Sequence, residues 1–183
     1  MPRSGDPATI RTVQEVARLL NSMREAGIIE DYALFGAAAQ MRYTEAVATL
    51  DADVLVVTAT PDRLDVLEPI YAYCRERGYT PEGEAVRVGA WPVQFIPVFN
   101  SLTREAVSLA DTADFEGVPF RVTGAAHLAV IALSVGRPKD FARVLELLES
   151  GAATQDDIGA LAARHGLAET WTRFRRKFLD DRD

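Results

Sequence analysis

The segment Ala52-Asp53-Val54-Leu55-Val56-Val57-Thr58-Ala59 constrains this chain more than any other. From Val54 on, its residues are β-branched or apolar at consecutive rather than alternate positions. A strand with one wet face alternates apolar and polar side chains, so a run that is apolar on both faces belongs in the middle of a covered sheet. The expectation is a central buried strand over 52–59. Its entrance is acidic. Asp51 and Asp53 stand two apart, so their side chains leave the strand on the same side and their carboxylates can converge. Carboxylates at the mouth of a buried strand are costly unless partnered. A divalent cation that prefers hard oxygen ligands, such as Mg2+, partners them well. The plainer alternative is a pair of solvated aspartates at a loop end, and the spacing alone does not choose.

The segments around this strand predict an α+β chain. Val13, Val16, Leu20 and Met23 recur at helical spacing and stop near Gly27. DYALF (31–35) reads as a short strand, and Gly36 opens a small-residue stretch, GAAAQMR, that favours a helix. Thr60-Pro61 offers an N-cap followed by proline for a helix carrying Leu64, Leu67, Tyr71 and Cys74, which Pro69 should kink or split. EAVRV (84–88) and VQFIPV (93–98) predict a hairpin, and residues 102–111 a short helix. GVPFRV (117–122) predicts a strand at a sheet edge, because Pro119 has no N–H to donate. After residue 123 the stripes at 128–135, 141–148 and 171–178 are all helical, with glycine breaks between them. The division expected is an α/β core over 1–123 and a helical region over 124–183 packed on it, as one domain overall.

Composition narrows the function classes. The apolar set makes up 48% of 183 residues, enough for a substantial core without disulfides. Cys74 is the single cysteine, which excludes an intrachain disulfide and suits a reducing cytoplasm. The polar opening MPRSGDPAT does not read as a secretory signal, and no apolar run approaches the ~20 residues that span a bilayer. The net charge of −7 argues against a general polyanion binder. Small charged substrates, nucleotides with metal, or a protein partner fit better.

Gly36 stands fifteen residues before Asp51, at a strand-to-helix junction in FGAAAQMRY. A glycine there lets backbone approach a phosphate, although a tight turn explains it equally well. With this context the stretch YALFGAAAQMRYTEAVATLDADVLVV resembles the nucleotidyltransferase core, in which a glycine pair precedes a D-x-D on the next strand. The similarity is closest to abortive-infection toxins of the AbiEii-like type, a toxin–antitoxin class. The later FEGVPFRVTGAAHLAVIALSVGRPKD resembles the same group, ending in the turn Arg137-Pro138-Lys139-Asp140. The resemblance spans roughly residues 8 to 150. It implies a nucleotidyltransferase-like mixed sheet with a helical C-terminal cap, and Asp51 and Asp53 as catalytic ligands of Mg2+. It also implies Gly36 and Ala37 as the phosphate turn, Arg137 and Lys139 as further nucleotide contacts, a nucleoside triphosphate as substrate, and an RNA or protein acceptor. The chain departs from that pattern at three places. Gln94 stands where a third carboxylate completes the metal site, Ala37 replaces the second residue of the glycine pair, and Ala132 takes a position often held by lysine. A neutral amide brings no negative charge. A binding protein that has lost transfer is therefore the competing expectation, with Glu82 or Glu84 as substitutes only if the strand register shifts.

The remaining reactive residues predict structure rather than chemistry. His127 and His165 lack triad or metal-ligand spacing, and Cys74 sits in an apolar stripe. The run Arg173–Phe178 places its aromatics on one helical face and its charges on the other, which suits a solvated face better than nucleic acid.

Overall fold

The computed structural model describes residues 7–44, 51–59 and 65–180. Seven strands form one mixed sheet. In chain order they are β1 (Ile29–Phe35), β2 (Ala52–Thr58), β3 (Thr80–Glu82), β4 (Ala85–Val88), β5 (Trp91–Pro97), β6 (Asp111–Phe115) and β7 (Val118–Val122). Across the sheet the order is β3-β4-β5-β2-β1-β7-β6, so the apolar run of β2 occupies the middle strand. It pairs antiparallel with β1 and parallel with β5. Ala52, Val54, Leu55 and Val56 are fully buried, as a strand covered on both faces requires.

Eight helices surround this sheet among the described residues: α1 (Pro7–Glu25), α2 (Gly36–Gln40), α3 (Glu68–Glu76), α4 (Ser101–Ser108), α5 (Ala125–Val135), α6 (Pro138–Glu149), α7 (Gln155–Arg164) and α8 (Ala168–Phe178). The side chains of α1 are described from Thr12 onward, and Val13, Val16, Leu20 and Met23 form its buried stripe. That stripe covers one face of the sheet, where Tyr32 donates to Asn21 Oδ1 at 2.8 Å. The opposite face meets α4, to which Arg121 of β7 reaches by donating to the Val107 carbonyl at 2.7 Å. α5 packs on α4 and α2, and in turn carries α6 and α7. Every described element after β7 is helical. No described helix is long and apolar enough to cross a membrane.

Two sequence expectations are corrected. Pro69 neither kinks nor splits a helix, because α3 begins at Glu68 and the proline occupies its first turn, where a missing N–H costs nothing. Thr60-Pro61 and Leu64 lie outside the described residues. Pro119 does not mark an edge: β7 lies between β1 and β6, and β6 is the edge strand. The proline is tolerated because β1 meets β7 only around Leu34 and Val122, while the Pro119 carbonyl takes a hydrogen bond from Asn21 Nδ2 at 2.8 Å instead of a strand neighbour.

The last helix turns its aromatics inward and its charges outward. Trp171 and Phe174 are buried, stacked at 5.7 Å, while Arg173, Arg175, Arg176 and Lys177 are exposed. Both histidines surround Glu105 of α4. His165 Nε2 lies 2.8 Å from Glu105 Oε2, and Arg164 donates to Oε1 at 2.5 Å. His127 Nε2 approaches Oε1 at 3.4 Å without completing a hydrogen bond. This partly exposed cluster ties α7 to α4, with His127 of α5 close to the same carboxylate.

Candidate functional site

β1 ends at Phe35, and the chain must turn at once into α2. Gly36 makes that turn with φ +65°, a left-handed conformation that L side chains avoid. The strand register then decides what it meets. Phe35 pairs with Asp53, and Asp53 pairs with Gln94, so these three residues form one row across β1, β2 and β5. A Cβ added to Gly36 would lie 2.5 Å from Asp53 Oδ2. The acidic mouth of β2 and the glycine turn are thus in direct contact. Asp51 is exposed one step further out, and Asp53 is half-buried.

The fourth side of the site comes from α6. Burial pushes the Asp53 carboxyl above its ordinary range, the neighbouring Asp51 charge adds to that, and the positive charges of Arg143 and Lys139 pull it back. Lys139 is exposed. Arg143 is more constrained, with a side chain only 19% exposed. Its Nε donates to Gln40 Oε1 at 2.8 Å, and its Nη1 lies 3.8 Å from Asp140 Oδ1. Asp140, 1% exposed, also accepts from Arg137 Nε at 2.6 Å, Arg137 Nη2 at 3.2 Å and Arg137 N at 3.2 Å. Burial alone would raise the Asp140 carboxyl, but these donors hold it below its ordinary range. Of the sequence candidates, Gly36, Asp51, Asp53 and Lys139 therefore share one neighbourhood. Ala37 follows in the first turn of α2, and the Arg137 guanidinium is engaged by Asp140.

Sequence reasoning missed Arg143 and Gln40. The signal for Arg143 was present as an arginine three residues after Asp140, one helical turn along α6. Gln40 carries no signal of its own, since it ends an alanine-rich stretch.

Gln94 is exposed and lies beside Asp53, and no carboxylate occupies its position in the row. Gln94 and Glu84 both line a cleft of about 380 Å³ along β5, with Leu67, Tyr71 and Ile96. Among the described residues no group of three or more His, Cys, Asp or Glu converges to hold a metal ion. Two aspartates alone suit a magnesium ion that takes its other ligands from substrate phosphates and water, as magnesium commonly does.

The architecture matches solved structures at low sequence identity. An antigenic nucleotidyltransferase-like protein from Paracoccidioides brasiliensis superposes with a TM-score of 0.59 at 14% identity, covering 94% of this chain and 95% of that one. The antibiotic-resistance factor ANT(2'')-Ia superposes with a TM-score of 0.52 at 11% identity, covering 93% and 98%. The fold is nucleotidyltransferase-like. No protein-family model matches the sequence, and neither does any curated protein. The nucleotidyltransferase-like fold places the Gly36 turn, the Asp53 row and α6 at one end of the sheet, and both matches extend over nearly the whole chain.

Proposed function

We propose that this site binds a magnesium–nucleoside triphosphate and that nucleotidyl transfer from it is slow. The observation that carries the reading is the contact of Asp53 with the Gly36 turn beneath the cations of α6. Asp51 and Asp53 would hold the ion, and the absence of a side chain at Gly36 lets the Asp53 carboxylate close against the turn that would meet the phosphates. Lys139 and Arg143 would face the polyphosphate, whose negative charge exceeds what two cations of the chain neutralise. A bound magnesium ion supplies further charge neutralisation at the reacting phosphate.

An acceptor hydroxyl must also lose its proton. In the row Phe35–Asp53–Gln94 the neighbour available on the β5 side is an amide, which accepts a hydrogen bond but takes no proton. General-base catalysis typically contributes ~10²–10⁴-fold, so the rate falls by a factor of that order without it. The cleft shared by Gln94 and Glu84 is the place for an acceptor. The sequence resemblance to abortive-infection toxins favours an RNA or protein hydroxyl there, in a cytoplasmic setting.

The test pairs calorimetric titration of nucleoside triphosphates, with and without magnesium, with a labelled-nucleotide transfer assay. Magnesium-dependent binding that Asp53→Asn abolishes is expected, together with a transfer rate that Gln94→Asp raises. Fast transfer by the unmodified protein would refute the role given to Gln94. Absence of nucleotide binding under every condition would refute the reading as a whole.

A further inference from the structure

α2 is only five residues long, and its two ends touch the two charged halves of the site. Gly36 opens it against the Asp53 carboxylate. Gln40 closes it four residues later, one helical turn on and so on the same side of the helix. The Gln40 side chain is 1% exposed, and its amide is used at both atoms. Oε1 accepts from Arg143 Nε at 2.8 Å, while Nε2 donates to Glu146 Oε2. A buried amide with both atoms engaged is fixed in orientation, because leaving either unpaired costs the desolvation of that group.

We infer that Gln40 is a positioning residue which holds the orientation of the Arg143 guanidinium at the α6 side of the site, so that the site selects nucleotides carrying β- and γ-phosphates over nucleoside monophosphates. The inference rests on the nucleotide-binding reading above. Arg143 sits one turn beyond Lys139 on α6, and with Nε on Gln40 and Nη1 near Asp140 its guanidinium plane is set from two sides. A planar fork held in this way suits the oxygens of a polyphosphate better than a freely rotating ammonium. α2 thus spaces the metal-binding carboxylate from the cation that meets the phosphate tail. Glu146 fixes which end of the amide faces Arg143, since the carboxylate takes only a donor.

The experiment titrates nucleoside triphosphate, diphosphate and monophosphate in magnesium buffer against four proteins: the unmodified chain, Gln40→Leu, Arg143→Met, and the double variant Gln40→Glu with Glu146→Gln. In the double variant the exchanged groups offer an acceptor to Arg143 and a donor to position 40 from position 146. Loss of one charge-assisted hydrogen-bonding group corresponds to about 10- to 100-fold in affinity. Gln40→Leu and Arg143→Met should each lose triphosphate affinity by that factor, with monophosphate affinity changed less than about twofold. The double variant should recover most of the preference, which a merely structural role for Gln40 would not produce. Arg143 is partly exposed, so its variant still decides the matter if Gln40→Leu fails to fold. Equal losses for all three nucleotides, or an unchanged triphosphate preference in Arg143→Met, would overturn the inference while leaving nucleotide binding intact. No binding by the unmodified chain would overturn both.

Discussion

Replacing Gly36 with alanine tests the site at its narrowest point. Two penalties separate cleanly there. The first is backbone strain, because φ is +65° and a Cβ in the left-handed region costs roughly 1–2 kcal/mol. The second is contact, because the new Cβ would stand 2.5 Å from Asp53 Oδ2, whereas real Cβ atoms essentially never come closer than 3.0 Å. The carboxylate must therefore retreat by about 0.5 Å, the difference between those two distances. Gly27 provides the control: its φ is +69°, and a Cβ there meets nothing within 4 Å. For a chain of this size 1 kcal/mol corresponds to ~2–4 °C in Tm, so strain alone should lower Tm by roughly 2–8 °C in Gly27→Ala. Gly36→Ala should fall at least as far. Only Gly36→Ala should also lose nucleotide, since magnesium demands near-ideal octahedral geometry and tolerates little displacement of a ligand. A weakening of at least about tenfold is expected, given that misplacements on the order of 1 Å can cost ~10²-fold at reacting centres. The assays are thermal unfolding of both variants and calorimetry with magnesium and a nucleoside triphosphate. Equal Tm values combined with unmodified nucleotide affinity in Gly36→Ala would refute the geometry.

Three further outcomes follow from the electrostatics. Burial raises the Asp53 carboxyl, so its charge opposes folding at neutral pH; Asp53→Asn should raise the Tm of the nucleotide-free protein while removing metal-dependent binding, and a lower Tm would count against a burdened carboxylate. Burial holds the His127 imidazole below its ordinary 6.5, and the Glu105 carboxyl is held below its ordinary 4.5 because His165 and Arg164 outweigh its own burial. Both groups therefore contribute stability that is complete above about pH 6.5 and declines first as His127 is forced to charge, then as Glu105 protonates. Urea midpoints measured from pH 8 to pH 4 should fall along that course, and His127→Gln should flatten the upper part of the decline. Asp140→Ala should cost on the order of 2 kcal/mol, because it strips the start of α6 of its cap and leaves Arg137 without its acceptor; a change in denaturant midpoint within error would contradict this.

The parts of this molecule that were legible in its sequence are those whose geometry is local. The strand period of two puts Asp51 and Asp53 on one side of β2 wherever the strand sits, and two-faced apolarity places that strand in the middle of the sheet. Gly36 was legible as a turn for the same reason. β3 and β6 were not legible, since TPE and DTADF have little strand propensity and are mostly exposed. They are strands because β4 and β7 offer them a ladder, which is a tertiary cause. Pro119 shows a sound chemical premise leading to a wrong position: the residue does lack a donor, but β1 flanks that side of β7 and pairs with it only around Leu34 and Val122, so no donor is asked of the proline.

The basic half of the site was hidden for a different reason. Gln40 and Arg143 are separated by 103 positions, and neither stands out in its own segment. An arginine in an amphipathic helix reads as solvated, and a glutamine after three alanines reads as filler. What distinguishes them is burial at a charged junction, which exists only once α6 has folded back over α2. Gln94 lies between these extremes. Its type was plain in the sequence, but its meaning depended on register, because a shift of one residue would have turned its side chain to the other face of β5. The register Asp53↔Gln94 puts the amide beside the aspartate, and Glu84 enters the same neighbourhood only through the cleft along β5. A carboxylate introduced at 94 would therefore stand next to Asp53 in the row, whereas Glu84 shares only the cleft along β5. Restoring activity by Gln94→Asp thus separates a site that lacks one charge from a site whose charge has moved to another strand.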